Sequence, residues 1–224
     1  MGLLTFAVVI GGLVFAGAVG GAVWLMHHAA QMRTRKIAEY HLWASQHGFQ
    51  YWPHDPSALA ISSRSPLSNG NGRQALDVFR GRYRDAHLHC FEVRYHTSST
   101  DSTTTYYHQV VAISLPALRP LLDVRHQNFL TRRFDKGVDF GDPVFGERFR
   151  IESPSAPFAR DVLHPAMREW MLADWRAAAF NWRFEGSWLM AYRSGHLDLR
   201  QVFACADFLH EVLERVPEHV WSDQ

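Results

Sequence analysis

Residues 3–26, LLTFAVVIGGLVFAGAVGGAVWLM, run for 24 residues without a charge. An α-helix rises about 1.5 Å per residue, so the run covers on the order of 36 Å, enough to cross a hydrocarbon core of about 30 Å. In lipid the backbone must satisfy its own hydrogen bonds, and a helix does so within one segment. A cleaved signal peptide needs a basic leading region, a shorter apolar core and a small-x-small cleavage site. Here apolar residues follow Met1 and Gly2 at once, the core is longer, and Trp24, Met26, His27 and His28 close it. The sequence therefore predicts a retained transmembrane helix over 3–26. Phe6 stands where a myristoylation motif wants Ser or Thr, so Gly2 is not a lipid anchor.

The flanks orient the span. No Lys or Arg precedes it, and Arg33, Arg35 and Lys36 follow it closely. Positive residues stay on the cytoplasmic side. The expectation is a single-pass plasma-membrane protein with its N-terminus outside and its C-terminal domain in the cytoplasm. Gly12, Ala16 and Gly20 recur every four residues. Small residues at that spacing let two helices approach closely, so self-association through the span is a further expectation beside contact with the bilayer.

The chain of 224 residues leaves one domain of ordinary size after the span. Its 23 basic and 22 acidic residues nearly cancel, which argues against a nucleic-acid partner. The two cysteines, Cys90 and Cys205, do not make a disulfide framework and suit a reducing compartment.

Three segments follow: the span over 3–26, a juxtamembrane helix over 27–48 closed by Gly48, and a soluble domain over 49–221. In the last, 75–83, 87–95 and 106–115 alternate or run apolar as strands, and shorter strands are expected at 49–52, 121–125 and 147–153. Ser155 caps a helix whose apolar face runs from Phe158 to Met171, with Pro165 starting a second turn or kinking it. Phe180, Trp182 and Phe184, then Trp188, Met190 and Tyr192, alternate on two arms, so a hairpin turning at Glu185-Gly186 is predicted. A final helix over 199–216 starts at Asp198 and ends at Pro217. The fold class is α+β: an N-terminal transmembrane helix, then a mostly antiparallel sheet with two C-terminal helices packed on it.

Chemistry is sparse. His87 and His89 project from one strand face and could share a metal, with His108 of the next strand as a third ligand. This defines the alternative reading, a metal-binding enzyme or sensor; a solvated strand face is the simpler one. Thr97, Ser98, Ser99, Thr100, Ser102, Thr103, Thr104 and Thr105 surround Asp101 in a polar stretch open to phosphorylation. No nucleophile elbow, paired Cys–His motif or His-Glu-x-x-His occurs, and Asp135, Asp139, Asp142 and Glu147 meet no catalytic spacing rule. Cys205 falls on an apolar helix face, and Trp182, Trp188 and Tyr192 read as core. No cofactor is implied.

The span, Trp43-Ala44, the block Gly48-Phe49-Gln50-Tyr51, and Asn71-Gly72-Arg73-Gln74-Ala75 leading to Phe79-Arg80-Gly81 carry a family likeness. Gln109-Val110-Val111, Leu115-Pro116, Phe149-Arg150-Ile151, Phe158-Ala159 and Leu163-His164-Pro165 extend it. With these the chain resembles uncharacterised single-pass membrane proteins of actinobacteria. The resemblance implies placement, a membrane-tethered cytoplasmic domain, and no site. The leading expectation is a non-enzymatic accessory or interaction module that holds a protein partner.

Overall fold

The structure, a computed structural model, describes residues 24, 27–28, 31–127 and 137–222. The expected span, with Gly12, Ala16 and Gly20, lies outside the described residues except for Trp24. Among the described residues no helix is long and apolar enough to cross a membrane. The chain divides into two compact units, 1–47 and 48–224.

In the first unit, helix α1 runs over 31–46. The Lys36 ammonium sits 5.0 Å from the Tyr40 ring centre, one turn on. The Trp43 carbonyl oxygen accepts from the His47 amide at 3.2 Å, and His47 Nδ1 lies 2.8 Å from the same oxygen.

The second unit is an antiparallel sheet covered on both faces, the α+β class expected from the sequence. Its strands are β1 (Gln50–His54), β2 (Asn71–Tyr83), β3 (Ala86–Ser98), β4 (Thr103–His126), β5 (Phe149–Glu152) and β6 (Asn181–Ser194). β4 is the axis. Val111 pairs with Cys90 of β3 on one side and Ala191 of β6 on the other. Further along, Val124 pairs with Ile151 of β5 and Trp182 of β6. β3 and β5 therefore share one edge of β4, and β6 follows the other edge along its length.

This corrects two sequence expectations. The strands at 106–115 and 121–125 are one strand, and the hairpin at Glu185-Gly186 is absent. β6 runs straight through Gly186, which takes φ +60° opposite Arg119. Both apolar arms find their partner in β4 rather than in each other. Between Ser114 and Arg119, β4 carries the extra residues of a bulge, where Pro116 costs no ladder hydrogen bond. Leu118 at the bulge is 73% exposed.

Period-2 alternation sorts the core. Val110, Ala112, Met190 and Tyr192 pack with Phe91 and Val93 beneath a covering turn over Pro56–Ile61. Val111 and Ala191 face the other way, onto Val202 and Cys205 of the last helix. That helix face also carries Ala206, Phe208, Leu209 and Val212, all buried, and each large side chain contributes roughly 1.5–3 kcal/mol.

Among the described residues three helices pack on β4 or β6 rather than two, α3 (Ala156–Val162), α5 (Trp175–Ala179) and α6 (Val202–Arg215), while α4 (Pro165–Ala173) packs on α5 and on a short α2 (Pro143–Arg148). The segment expected as strand at 147–153 is thus the end of α2 followed by β5. The predicted break at Pro165 is real: His164 is extended, and its Nδ1 accepts from the Met167 amide at 3.3 Å. Asp174 closes α4 and caps α5, accepting from the Arg176 amide at 2.8 Å. Asp198 caps a 3-10 turn, Leu199–Gln201, that leads into α6.

Candidate functional site

His87, His89 and His108 lie on one sheet face, as alternation requires, but are not brought together. His89 stands opposite Ala112 and His108 opposite Val93. Four residues of strand, about 13 Å, separate those levels. His89 packs on Trp188, ring centres 4.5 Å apart. Burial, then the Arg80 and His87 charges, push its imidazole down to about 4. His108 stacks on Tyr95 at 5.7 Å and lies 3.3 Å from Ser194 Oγ. Among the described residues no group of three His, Cys, Asp or Glu is arranged to hold a metal.

The Ser/Thr stretch is exposed throughout, but only residues 99–102 form the turn. Thr97 and Ser98 belong to β3, and Thr103 to Thr105 belong to β4. Ser99 N donates to the Ser102 carbonyl at 2.8 Å. Cys90 and Cys205 are buried, and burial pushes both thiols up, Cys205 to about 12. Asp139 accepts from the Gly141 amide and Asp142 caps α2, so both serve local backbone; Asp135 lies outside the described residues.

The polar cluster that sequence reading missed lies beside the β4 bulge. Asp123 and Arg183 are cross-strand partners, both fully buried. Arg183 Nη2 donates to Asp123 Oδ2 at 2.9 Å and to the Ser65 carbonyl at 2.7 Å; Nη1 donates to Ser62 Oγ at 2.9 Å. Asp123 also accepts from Tyr192 OH at 2.8 Å and from Arg125 Nε and Nη2 at 2.8 and 2.6 Å. Glu185 accepts from Ser62 Oγ at 2.5 Å and from Ser63 N and Oγ at 3.0 and 2.9 Å. Burial would raise the Glu185 carboxyl, but these hydrogen bonds and the Arg183 charge outweigh it and hold it below its usual range. Burial and the Asp123 charge push the Tyr192 hydroxyl up, so it remains a donor. Asp123 spends its oxygens on Arg125, Arg183 and Tyr192. The cluster is a clasp that pins segment 62–65 to the sheet. One signal for it existed: Asp123 and Arg183 are each flanked by large apolar residues, in Leu122-Asp123-Val124 and Trp182-Arg183-Phe184.

Two cavities flank the bulge. The larger, about 530 Å³, lies where the β2–β3 turn (Arg84, Asp85), the bulge (Leu115, Pro116), α6 (His210, Leu213, Glu214) and Trp221 meet. Arg84 takes φ +52° in the turn and pairs with Asp207 at 2.7 Å and Glu214 at 3.5 Å. Trp221 packs under the Arg119 guanidinium at 5.1 Å and beside Phe184 at 6.5 Å. The smaller, about 370 Å³, lies between Leu118–Pro120, the start of α3 and His219.

No protein-family model matches the chain, and no curated protein matches it in sequence. Among solved structures it is similar to the mycobacterial trehalose monomycolate transport factor A, TtfA. The TM-score is 0.56 and the identity 15%, over 80% of this chain and 94% of that one. At that identity the likeness is one of fold: nearly the whole of the TtfA chain follows the α+β architecture described above.

Proposed function

We propose that this chain is a membrane-tethered, non-enzymatic accessory module of an envelope transport system, a role analogous to the one TtfA's name describes. The observation that supports the reading is the fold shared with 94% of the solved TtfA chain, joined to a 24-residue apolar run near the start of this sequence. Residues 3–26 span the plasma membrane; Arg33, Arg35 and Lys36 hold the following domain on the cytoplasmic side. Gly12, Ala16 and Gly20 give the span a face for self-association. The bulged β4 and its two cavities supply the shaped surface on which a protein partner docks. This placement also suits the likeness to actinobacterial single-pass membrane proteins.

The test is a pair of reporters fused after Gln224 and expressed in a bacterial host. A fluorescent protein that matures only in the cytoplasm should be bright, and an exported alkaline phosphatase should be inactive. The reverse pattern would overturn the orientation. Recovery of the chain in the soluble fraction after alkaline carbonate washing would overturn the span. Co-purification from native membranes should bring down a membrane transport protein; turnover of hydrolase or transferase substrates by the purified chain would overturn the non-enzymatic reading.

A further inference from the structure

The β4 bulge sets a knob beside a hole. A bulge bends its strand and re-aims the side chains it carries. Leu118, in this one, is the most exposed large apolar side chain among the described residues. A single exposed leucine is ordinary on a folded surface. This one also lines the 370 Å³ cavity, whose other apolar walls are Pro120, Pro157, Phe158 and Val220. Phe158 is held from behind by the core, its ring edge-on to Phe184 with centres 5.7 Å apart. A leucine side chain takes up space on the order of 150 Å³ or less, so the cavity has room for a second one.

The charges of the cavity are divided between the same two sides. Arg119 adjoins the knob on β4, and Asp161 belongs to the α3 wall. Arg119 Nη1 donates to the Leu118 carbonyl at 2.6 Å, and the guanidinium lies 5.1 Å from the Trp221 ring centre. No carboxylate pairs with it among the described residues. Asp161 has His219 as its basic neighbour, Nε2 to Oδ2 3.7 Å, and that ring is charged only when protonated. The charges next along the chain, Arg160 and Glu218, are exposed and opposite in sign. Arg119 and Asp161 therefore line one cavity with opposite charge and make no ion pair with each other.

We propose that this face is a two-fold interface with a second copy of the chain. Leu118 belongs to the rim of the very cavity it fills in the partner, so one rotation axis beside it seats both leucines at once. That is the self-complementary patch of a closed dimer, whereas a knob and a hole far apart would build an open filament. Each Leu118 leaves water for the partner's Phe158, Pro157 and Val220. Each Arg119, on the knob side, meets the partner's Asp161 on the far wall, so two opposite-charge pairs form about the axis and fix the register. The interface holds whether or not the chain serves transport.

The test is sedimentation velocity of the full chain in density-matched neutral-detergent micelles at pH 7.5 and low salt. Every protein carries Gly12→Leu and Gly20→Leu, so that the small-residue face of the expected span does not contribute. The parent should dimerise reversibly with concentration. Leu118→Asp should weaken the dimer about a hundredfold or more, because two leucines per dimer lose their sites, while its urea midpoint stays that of the parent. Arg119→Glu and Asp161→Arg, each alone, should weaken it roughly tenfold. Mixed in equal amounts, these two variants should pair with each other as tightly as the parent does with itself, since both contacts are then between opposite charges. A parent that stays monomeric, a dimer that Leu118→Asp leaves unchanged, or a mixture no tighter than either variant alone would overturn the proposal.

Discussion

Replacing Arg183 with methionine is the sharpest probe of the clasp. The side chain is fully buried, so solvent does not screen the effect. Methionine keeps most of the apolar stem and removes the guanidinium. Ser62 Oγ, the Ser65 carbonyl and Asp123 then lose a donor each, at 2.9, 2.7 and 2.9 Å. Breaking a buried ion pair by deleting one partner costs about 3–5 kcal/mol. Asp123 keeps Arg125 at 2.6 Å and Tyr192 at 2.8 Å, which places Arg183→Met at the low end, about 3 kcal/mol. With a urea slope of about 2 kcal/mol per molar, the unfolding midpoint should fall by roughly 1.5 M. Tryptophan fluorescence of the full chain in detergent reads this directly, since Trp182 is fully buried. Adding Asp123→Asn to Arg183→Met should cost much less than the two single losses together, because the uncompensated charge is gone. A loss below about 1 kcal/mol for Arg183→Met, or strict additivity in the double variant, would refute the clasp.

Two further outcomes follow from single residues. The fold lowers the His89 imidazole to about 4, from an unfolded value near 6.5, so folding favours its neutral form. That contribution is complete above pH 6.5 and lost as pH falls toward 4, at most roughly 3 kcal/mol. Urea midpoints measured across this range should drop steeply in the parent and less so in His89→Gln; parallel curves would contradict the assignment. Gly186→Ala meets no atom within 4 Å but must adopt φ +60°. It should cost about 1 kcal/mol of backbone strain, and Gly186→Asn less, by the same urea assay; no loss in either would mean that the strand does not pass through the left-handed region there.

Much of this protein was legible along the chain because the relevant physics is local. The uncharged run over 3–26 raises the expectation of a span from its residues alone, and all of it but Trp24 lies outside the described residues. Alternation located β2 and β3 and put His87, His89, Phe91 and Val93 on one face, away from Cys90. Pro165 and Asp198 marked helix starts because a missing amide hydrogen and a capping carboxylate act within one turn. The failures share the opposite cause. Two alternating arms around Glu185-Gly186 look the same whether they pair with each other or with a third strand. Only β4, which supplies partners to both arms and absorbs the mismatch in its bulge, decided for one continuous strand. Whether His87, His89 and His108 converge depended on a register that alternation cannot set, and tertiary pairing put His89 and His108 four residues apart. Asp123 and Arg183, sixty positions apart, became one clasp, and His210 came to face Asp85 across 125 positions. Periodicity reports which way a side chain points; only the closed sheet determines what it meets there.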